Sequence, residues 1–190
     1  MSINEARTAV FLCGPITDVT SNETFDAKVR HLIEGIAERL ETAGFQVFSA
    51  HQEESFGSSI PERPADVYNR DWRFAQMSDA MVVVFPSDIK GGLIRTDGTF
   101  MELGWAMALY KPLSIVTDPK ALGRSYLFDG LLDSSNRIHR YDFEDAIKGN
   151  ELIVRLQREL SEAEQPNHVV DTASTHCPSC GFNPASDSTL

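Results

Sequence analysis

Basic side chains are scarce in this 190-residue chain: Lys and Arg number 17 against 28 Asp and Glu, a formal net charge of −11. That balance excludes a protein that tracks a nucleic-acid polymer through phosphate contacts, which requires a basic face. It leaves room for one small phosphorylated ligand, because a local nest or helix N-terminus can oppose the overall field. Long apolar runs are also missing. The longest, such as Met81–Phe85, fall far short of the roughly 20 residues that span a bilayer, so no membrane partner is expected. Residues Met1–Ala6 include Glu5 and no apolar core, so no secretory leader is expected and the cytoplasm is the default compartment. Cysteine is sparse too. Three of them, one in a strand-like run, do not make a disulfide framework.

What is present suits one core: 42% apolar and 24% charged residues are ordinary for a soluble domain. Thr8–Cys13 is β-prone, and Gly14-Pro15 marks the turn that ends it. Thr20-Ser-Asn-Glu23 has the form of a capping box, followed by Val29, Leu32, Ile33, Ile36 and Leu40 at helical spacing. Gly44 stops that helix, and Phe45–Ala50 forms a second strand. Gln52–Pro64 reads as a loop. A helix from Ala65 to Ser78 leads into the apolar strand Ala80–Phe85. Ser87–Gly98 is a glycine-rich loop, Thr99–Tyr110 a helix, and Leu113–Thr117 a strand. Asn136–Tyr141 is a fifth strand, and Phe143–Leu160 a final amphipathic helix.

Apolar strands alternating with helices indicate an α/β fold: a doubly wound, flavodoxin- or Rossmann-like sheet of about five parallel strands with helices on both faces. Ligands in such sheets sit beyond the carboxyl ends of the strands, which draws attention to Cys13–Thr20, Ala50–Gly57 and Pro86–Glu102. From Ala163 onward the composition turns to Ser, Thr, Asn, Pro and Asp, so a domain over residues 1–162 and a flexible tail over 163–190 are expected.

Gly98-Thr-Phe-Met-Glu102 puts a carboxylate in the first turn of a helix above the sheet, where the helix dipole favours the ionised form that a nucleophile needs. The same residues, Thr99-x-x-Glu102, also match a capping box. Asp71 has a similar alternative as a solvated charge or a partner for Arg70 or Arg73. Asp79, at a helix–strand junction, reads as a turn or capping group.

Several segments taken in order carry more. Val10-Phe-Leu-Cys-Gly-Pro15, Asn69-Arg-Asp71 ahead of Ser78-Asp79-Ala80, Gly98-Thr-Phe-Met-Glu-Leu-Gly-Trp-Ala106 and Lys111-Pro112 together resemble the nucleoside 2-deoxyribosyltransferase family and its relatives that hydrolyse nucleoside 5′-monophosphates. The resemblance spans Thr8 to Tyr141. It implies that Glu102 is the nucleophile that attacks C1′ of the sugar, giving a covalent glycosyl-enzyme, the retaining logic of glycoside hydrolysis. It implies a base-binding or general-acid role for Asp71, since a nucleobase leaves more easily when protonated or hydrogen-bonded. Gly14, Pro15, Gly98 and Thr99 fall on the substrate side.

Two positions bear on the acceptor. Where deoxyribosyltransferases typically carry a tyrosine in the first strand and an aspartate six residues before the nucleophile, this sequence has Phe11 and Thr96. Both point to a nucleoside 5′-monophosphate N-glycosidase, CMP-like in pattern, releasing free base and (deoxy)ribose 5-phosphate. Ser49-Ala50-His51 with Glu54 and Gly57 resembles the corresponding loop of CMP hydrolases, which brings His51 toward base or sugar; a surface histidine is the alternative. Phosphate contacts would come from Thr17, Thr20 or Ser21, from backbone N–H groups and from Arg95, the preferred cation. Asp97, next to Thr96, would restore the transferase aspartate if the loop shifted by one residue. Base exchange between deoxynucleosides therefore stays open, as does a non-catalytic nucleotide-binding module.

The resemblance also implies a homodimer or larger homo-oligomer, with Ser134, Ser135 and Asn136 as contributions to a neighbour's site, and no organic cofactor. Near the end, His176-Cys177-Pro-Ser-Cys180 has half of a zinc-ribbon pattern. With His168 or His176 it is short of four ligands, so an unoccupied pair in a flexible tail is the expectation and no metal is assigned.

Overall fold

The computed structural model describes residues 8–16, 19–21, 24–121, 124–134 and 138–163. Five strands, β1 (Ala9–Cys13), β4 (Gln46–Phe48), β5 (Ala80–Phe85), β6 (Leu113–Thr117) and β7 (Ile138–Tyr141), form one sheet in the order β4-β1-β5-β6-β7. Every pairing is parallel. The chain thus runs outward from β1 in both directions, and the switch point lies between β1 and β5, where the rule for open α/β sheets puts a ligand.

Alternation along the strands sorts the core into two layers. Val10, Leu12, Val82, Val84 and Val116 pack against α1 (Ala27–Thr42), α6 (Phe143–Lys148) and α7 (Glu151–Ala163). Phe11, Cys13, Met81, Val83, Phe85 and Ile115 pack on the other face, against α3 (Pro64–Met77), α4 (Asp97–Ala108) and α5 (Tyr126–Ser134). The expected doubly wound α/β fold is the one observed.

Local chemistry explains most boundaries. Helix α1 ends on a Schellman arrangement: Gly44 at φ +95° lets the Phe45 amide reach the Leu40 carbonyl at 3.1 Å. Asp79, left outside the site on sequence grounds, accepts from the Ala9 amide at 2.7 Å and ties β1 to β5. Lys111 donates to the carbonyls of Gln76 and Ser78, so the Lys-Pro motif secures the end of α3.

Several expectations are corrected. Thr20–Glu23 is not the start of α1; Thr20–Ser21 (β2) pairs antiparallel with Thr24–Phe25 (β3). The cap is Asp26, whose Oδ1 accepts from the amides of Lys28 at 2.8 Å and Val29 at 3.0 Å, two orphan donors for one carboxylate. The second strand is shorter than Phe45–Ala50, because Ala50 opens the short helix α2 (Ala50–Glu53), which runs into the start of the expected loop. Phe143–Leu160 is two helices, broken where Gly149 bonds back to the Asp145 carbonyl at 2.8 Å. A Cβ at Gly149 would stand 2.7 Å from that carbonyl oxygen. Helix α5 had no strong periodic signal and was not expected. No helix among the described residues is long and apolar enough to cross a membrane.

Candidate active site

The loops beyond β1, β4 and β5 enclose an open pocket of about 330 Å³. Its floor is the turn after β1, where Gly14 passes so close to β5 that a Cβ would lie 3.1 Å from the Val84 carbonyl oxygen. Apolar Ile60, Pro61, Pro64 and Val67 form one wall, and Glu54, Asp71 and Glu102 put three carboxylates into it. Thr96, Gly98 and Thr99 line the end where α4 begins.

That helix starts two residues earlier than the sequence suggests. Thr96 is its cap, with Oγ1 accepting from the Thr99 amide at 3.1 Å and lying 2.7 Å from Thr99 Oγ1. Glu102 is therefore in the second turn and caps nothing, which removes the capping-box alternative. The extended backbone at Thr96 turns its side chain into the pocket and leaves Arg95 and Asp97, on either side, exposed and off the lining. The aspartate that a one-residue shift would have supplied does not face the pocket, and neither does the arginine expected there.

Glu102 is 7% exposed and Asp71 9%. Burial pushes the Glu102 carboxyl well above the ordinary glutamate value, and the Asp71 charge adds to this; a hydrogen bond from the Cys13 thiol and the charge of Arg70 oppose it. Desolvation thus works against the helix dipole: burial favours the protonated form of Glu102, opposite to the preference expected from its helix position. Its Oε2 is buried with no partner among the described residues, a condition that costs about 1–3 kcal/mol. Asp71 is also raised by burial, but less, since Arg70 Nε donates to its Oδ1 at 2.8 Å. Arg70 Nη2 donates to Glu54 Oε1 at 2.6 Å. Asp71 is thus Arg70's partner, the alternative foreseen for it, and it also lines the pocket.

His51 is neither a surface residue nor part of the lining. It is fully buried, with Nε2 3.2 Å from the Pro15 carbonyl and the rings of Phe25 and Phe56 about it. Burial lowers it to about 4, so it is neutral and braces the turn from below. Phe11 is likewise buried, edge-on to Phe74. Thr20 spends its hydroxyl on the Ile16 carbonyl at 2.7 Å. Thr17, Ser135, Asn136, His168, His176, Cys177 and Cys180 lie outside the described residues, as do the side chains of Ser21 and Ser134. Sequence reasoning missed Glu54, Arg70 and Cys13 as site residues. Arg70 was visible beside Asp71 in the Asn-Arg-Asp motif, and Cys13 two residues after Phe11 on the same strand face.

The profile of the nucleoside 2-deoxyribosyltransferase family matches residues 10–152. The chain belongs to that family. Its span takes in the sheet and every pocket residue named above. Among solved structures, the CMP N-glycosidase BcmB of Clostridium botulinum is 20% identical, covering 80% of this chain and 99% of that one, with a TM-score of 0.51. The solution structure of BlsM is 20% identical over 80% of this chain and 94% of that one, with a TM-score of 0.54. A 2-deoxyribosyltransferase from Bacillus psychrosaccharolyticus is 18% identical over 77% and 96%, with a TM-score of 0.49. At these identities the first two likenesses speak for the fold. A comparison with curated proteins finds no match. Family membership makes the chain an enzyme of the nucleoside 2-deoxyribosyltransferase family.

Proposed function

We propose that the chain hydrolyses the N-glycosidic bond of a nucleoside 5′-monophosphate, CMP-like in its base, with Glu102 as nucleophile and Asp71 beside the base. The observation that carries this reading is the pocket end at α4, where Thr96 and Thr99 line the pocket with their hydroxyls 2.7 Å apart, while the exposed Asp97 is not among the lining residues. The first amides of a helix have no intrahelical acceptor, so the Asp97 and Gly98 N–H groups suit a phosphate oxygen. An aspartate there would repel it.

The proton count closes. Burial biases both carboxyls toward the protonated form, Glu102 the more strongly, and in the proposed cycle the pair carries one proton. On attack, Glu102 oxygen bonds to C1′, the C1′–N bond breaks toward the base, and the pair's proton goes to the base, directly or through Asp71. Water then adds to C1′, the ester bond breaks, and the water's proton restores the pair. Two inversions retain configuration. The products are free base and (deoxy)ribose 5-phosphate, and no organic cofactor is needed.

A second copy of the chain would complete the site. Tyr68, 49% exposed, and Met101, 48% exposed, lie with Trp72 and Trp105 on the outer faces of α3 and α4, next to the pocket. An apolar face of this kind suits a homo-oligomer contact, and Ser134–Asn136 remain the candidate contributions from a neighbour. A metabolite of this class fits a cytoplasmic location.

Base exchange between nucleosides is the second reading. It draws on the three pocket carboxylates and on the lack of a basic residue among those that line it, which disfavour a dianion. The decisive assay incubates the protein with CMP, dCMP and deoxycytidine and follows free base by chromatography. Release from a monophosphate supports the proposal. Cleavage of deoxycytidine alone, with a new nucleoside formed when adenine is added, overturns it in favour of exchange.

A further inference from the structure

We propose that Arg70 is a positioning residue: anchored at one end on Glu54, its guanidinium holds one oxygen of Asp71 and presents the other to the base. This rests on the place given to Asp71 under the function proposed above, and applies to hydrolysis and exchange alike.

Arg70 and Asp71 are consecutive in α3, and consecutive residues of a helix do not face each other. The planar fork of the guanidinium brings them together. Its Nε donates to Asp71 Oδ1 at 2.8 Å, and its Nη2 donates to Glu54 Oε1 at 2.6 Å. One rigid edge thus spans two carboxylates, one from α3 and one from the end of α2. The Arg70 side chain is 19% exposed, that of Asp71 12% and that of Glu54 3%. As a source of stability the triad is poor: two buried carboxylates answer one cation, and Glu102 adds a third carboxyl to the same pocket. As a means of orientation it is apt. Asp71 lines the pocket, and its Oδ2 stays outside the clamp.

The anchor is itself stiff. Ser55, Phe56 and Gly57 follow Glu54 with φ of +48°, +55° and +84°, a left-handed conformation that side-chain-bearing residues hold only when their surroundings force it. Here the Phe56 amide donates to the His51 carbonyl at 2.7 Å, and the Ser59 amide to the Glu54 carbonyl at 2.9 Å. The Phe56 ring packs edge-on to Phe25, with the Arg30 guanidinium 4.5 Å from its centre. A turn held this firmly fixes the Glu54 carboxylate and, through Arg70, that of Asp71. The charged and titratable groups that face Asp71 are Arg70, Glu54 after α2, Glu102 from α4 and Cys13 from β1. Arg70 is the one that favours its ionised form.

Arg70→Lys separates orientation from charge. Lysine keeps the cation but has no fork. On whichever of CMP, dCMP and deoxycytidine the wild type cleaves, kcat should fall about 10- to 100-fold, with KM little changed and both limbs of the kcat/KM pH profile in place. Arg70→Met removes the cation as well, and both limbs should move to higher pH. A kcat for Arg70→Lys within about 2-fold of wild type overturns the proposal, because charge alone would then suffice. Glu54→Ala should cost about as much as Arg70→Lys, and the double variant scarcely more, since both act through one fork. Losses that multiply would overturn the anchoring by Glu54. Wild-type protein alone gives the second arm, by NMR and without substrate. The Arg70 Nε–H signal, assigned through its bonds to the backbone, should be protected from solvent exchange and should shift as Asp71 titrates. A signal that exchanges as fast as that of an exposed arginine overturns the clamp, even if every variant folds poorly. A wild type that cleaves none of the three substrates sinks the proposed function, while the NMR result still decides the clamp.

Discussion

Glu102 and His51 are both buried beside the Gly14-Pro15 turn, and each has one polar atom that no protein group satisfies, Oε2 and Nδ1. Burial drives both toward the neutral form, raising the acid and lowering the base. Their surroundings then part them. His51 is shut in by Phe25 and Phe56 and holds the Pro15 carbonyl, so its neutrality near pH 7 is structural. Glu102 opens onto the pocket with a second carboxylate beside it, so its proton has somewhere to go. A displaced ionisation marks a reactive group only where space and a proton partner adjoin it.

The largest effect that would sharpen this contrast is on turnover. Glu102→Ala should cut base release on the order of 10⁴-fold or more, with an unchanged circular dichroism spectrum, whereas His51→Gln should stay within about 10-fold. Comparable losses in the two variants would break the distinction.

Asp71→Asn should come next, lowering kcat/KM by about 10²- to 10³-fold. The wild-type profile should be bell-shaped, rising as the pair sheds its second proton and falling as it sheds the last. The variant has one ionisation left, so the acid limb should vanish. The alkaline limb should move to lower pH, because the Asp71 charge that raises Glu102 is gone.

Stability should separate the two residues by sign. His51 is depressed from 6.5 to about 4, so its contribution is present above pH 6.5 and is lost as pH falls to about 4. The loss is roughly 3 kcal/mol. Glu102 is raised from 4.5, so protonation favours the fold as pH falls through its raised value, and this gain levels off below 4.5. Denaturant titrations from pH 7 to 4 should therefore show a flatter acid loss in His51→Gln and a steeper one in Glu102→Gln. Equal slopes in both would contradict the opposite displacements. The smallest change expected is Gly14→Ala, which forces a Cβ to 3.1 Å from the Val84 carbonyl oxygen and should cost about 1–3 kcal/mol by thermal melting.

Much of this was legible in the residues. Unbroken apolar runs such as Ala80–Phe85 mark strands buried on both faces, and the βα alternation leaves few sheets to consider. Glu102 and Asp71 could be named because their motifs occur in order. Charge and capping were harder to foresee. Whether a glutamate caps a helix or reaches under it depends on where the helix starts, and Thr96 was as able to cap as Thr99. Arg95 was expected in the pocket because it is the nearby cation, but side-chain direction in extended chain alternates residue by residue. His51 sits in a polar stretch, and nothing local reveals Phe25, far earlier in sequence, that encloses it together with the nearby Phe56.

The order of the strands also has a consequence in time. Strand β1 lies between β4 and β5, and the carboxylate that clasps its first amide, Asp79, comes 70 residues after it. During synthesis at about 5–20 residues per second, β1, buried along its whole length in the finished fold, leaves the ribosome seconds before its second neighbour exists. The first half of the chain must wait for the rest, and it is in that interval, more than in the finished enzyme, that a chaperone would find something to hold.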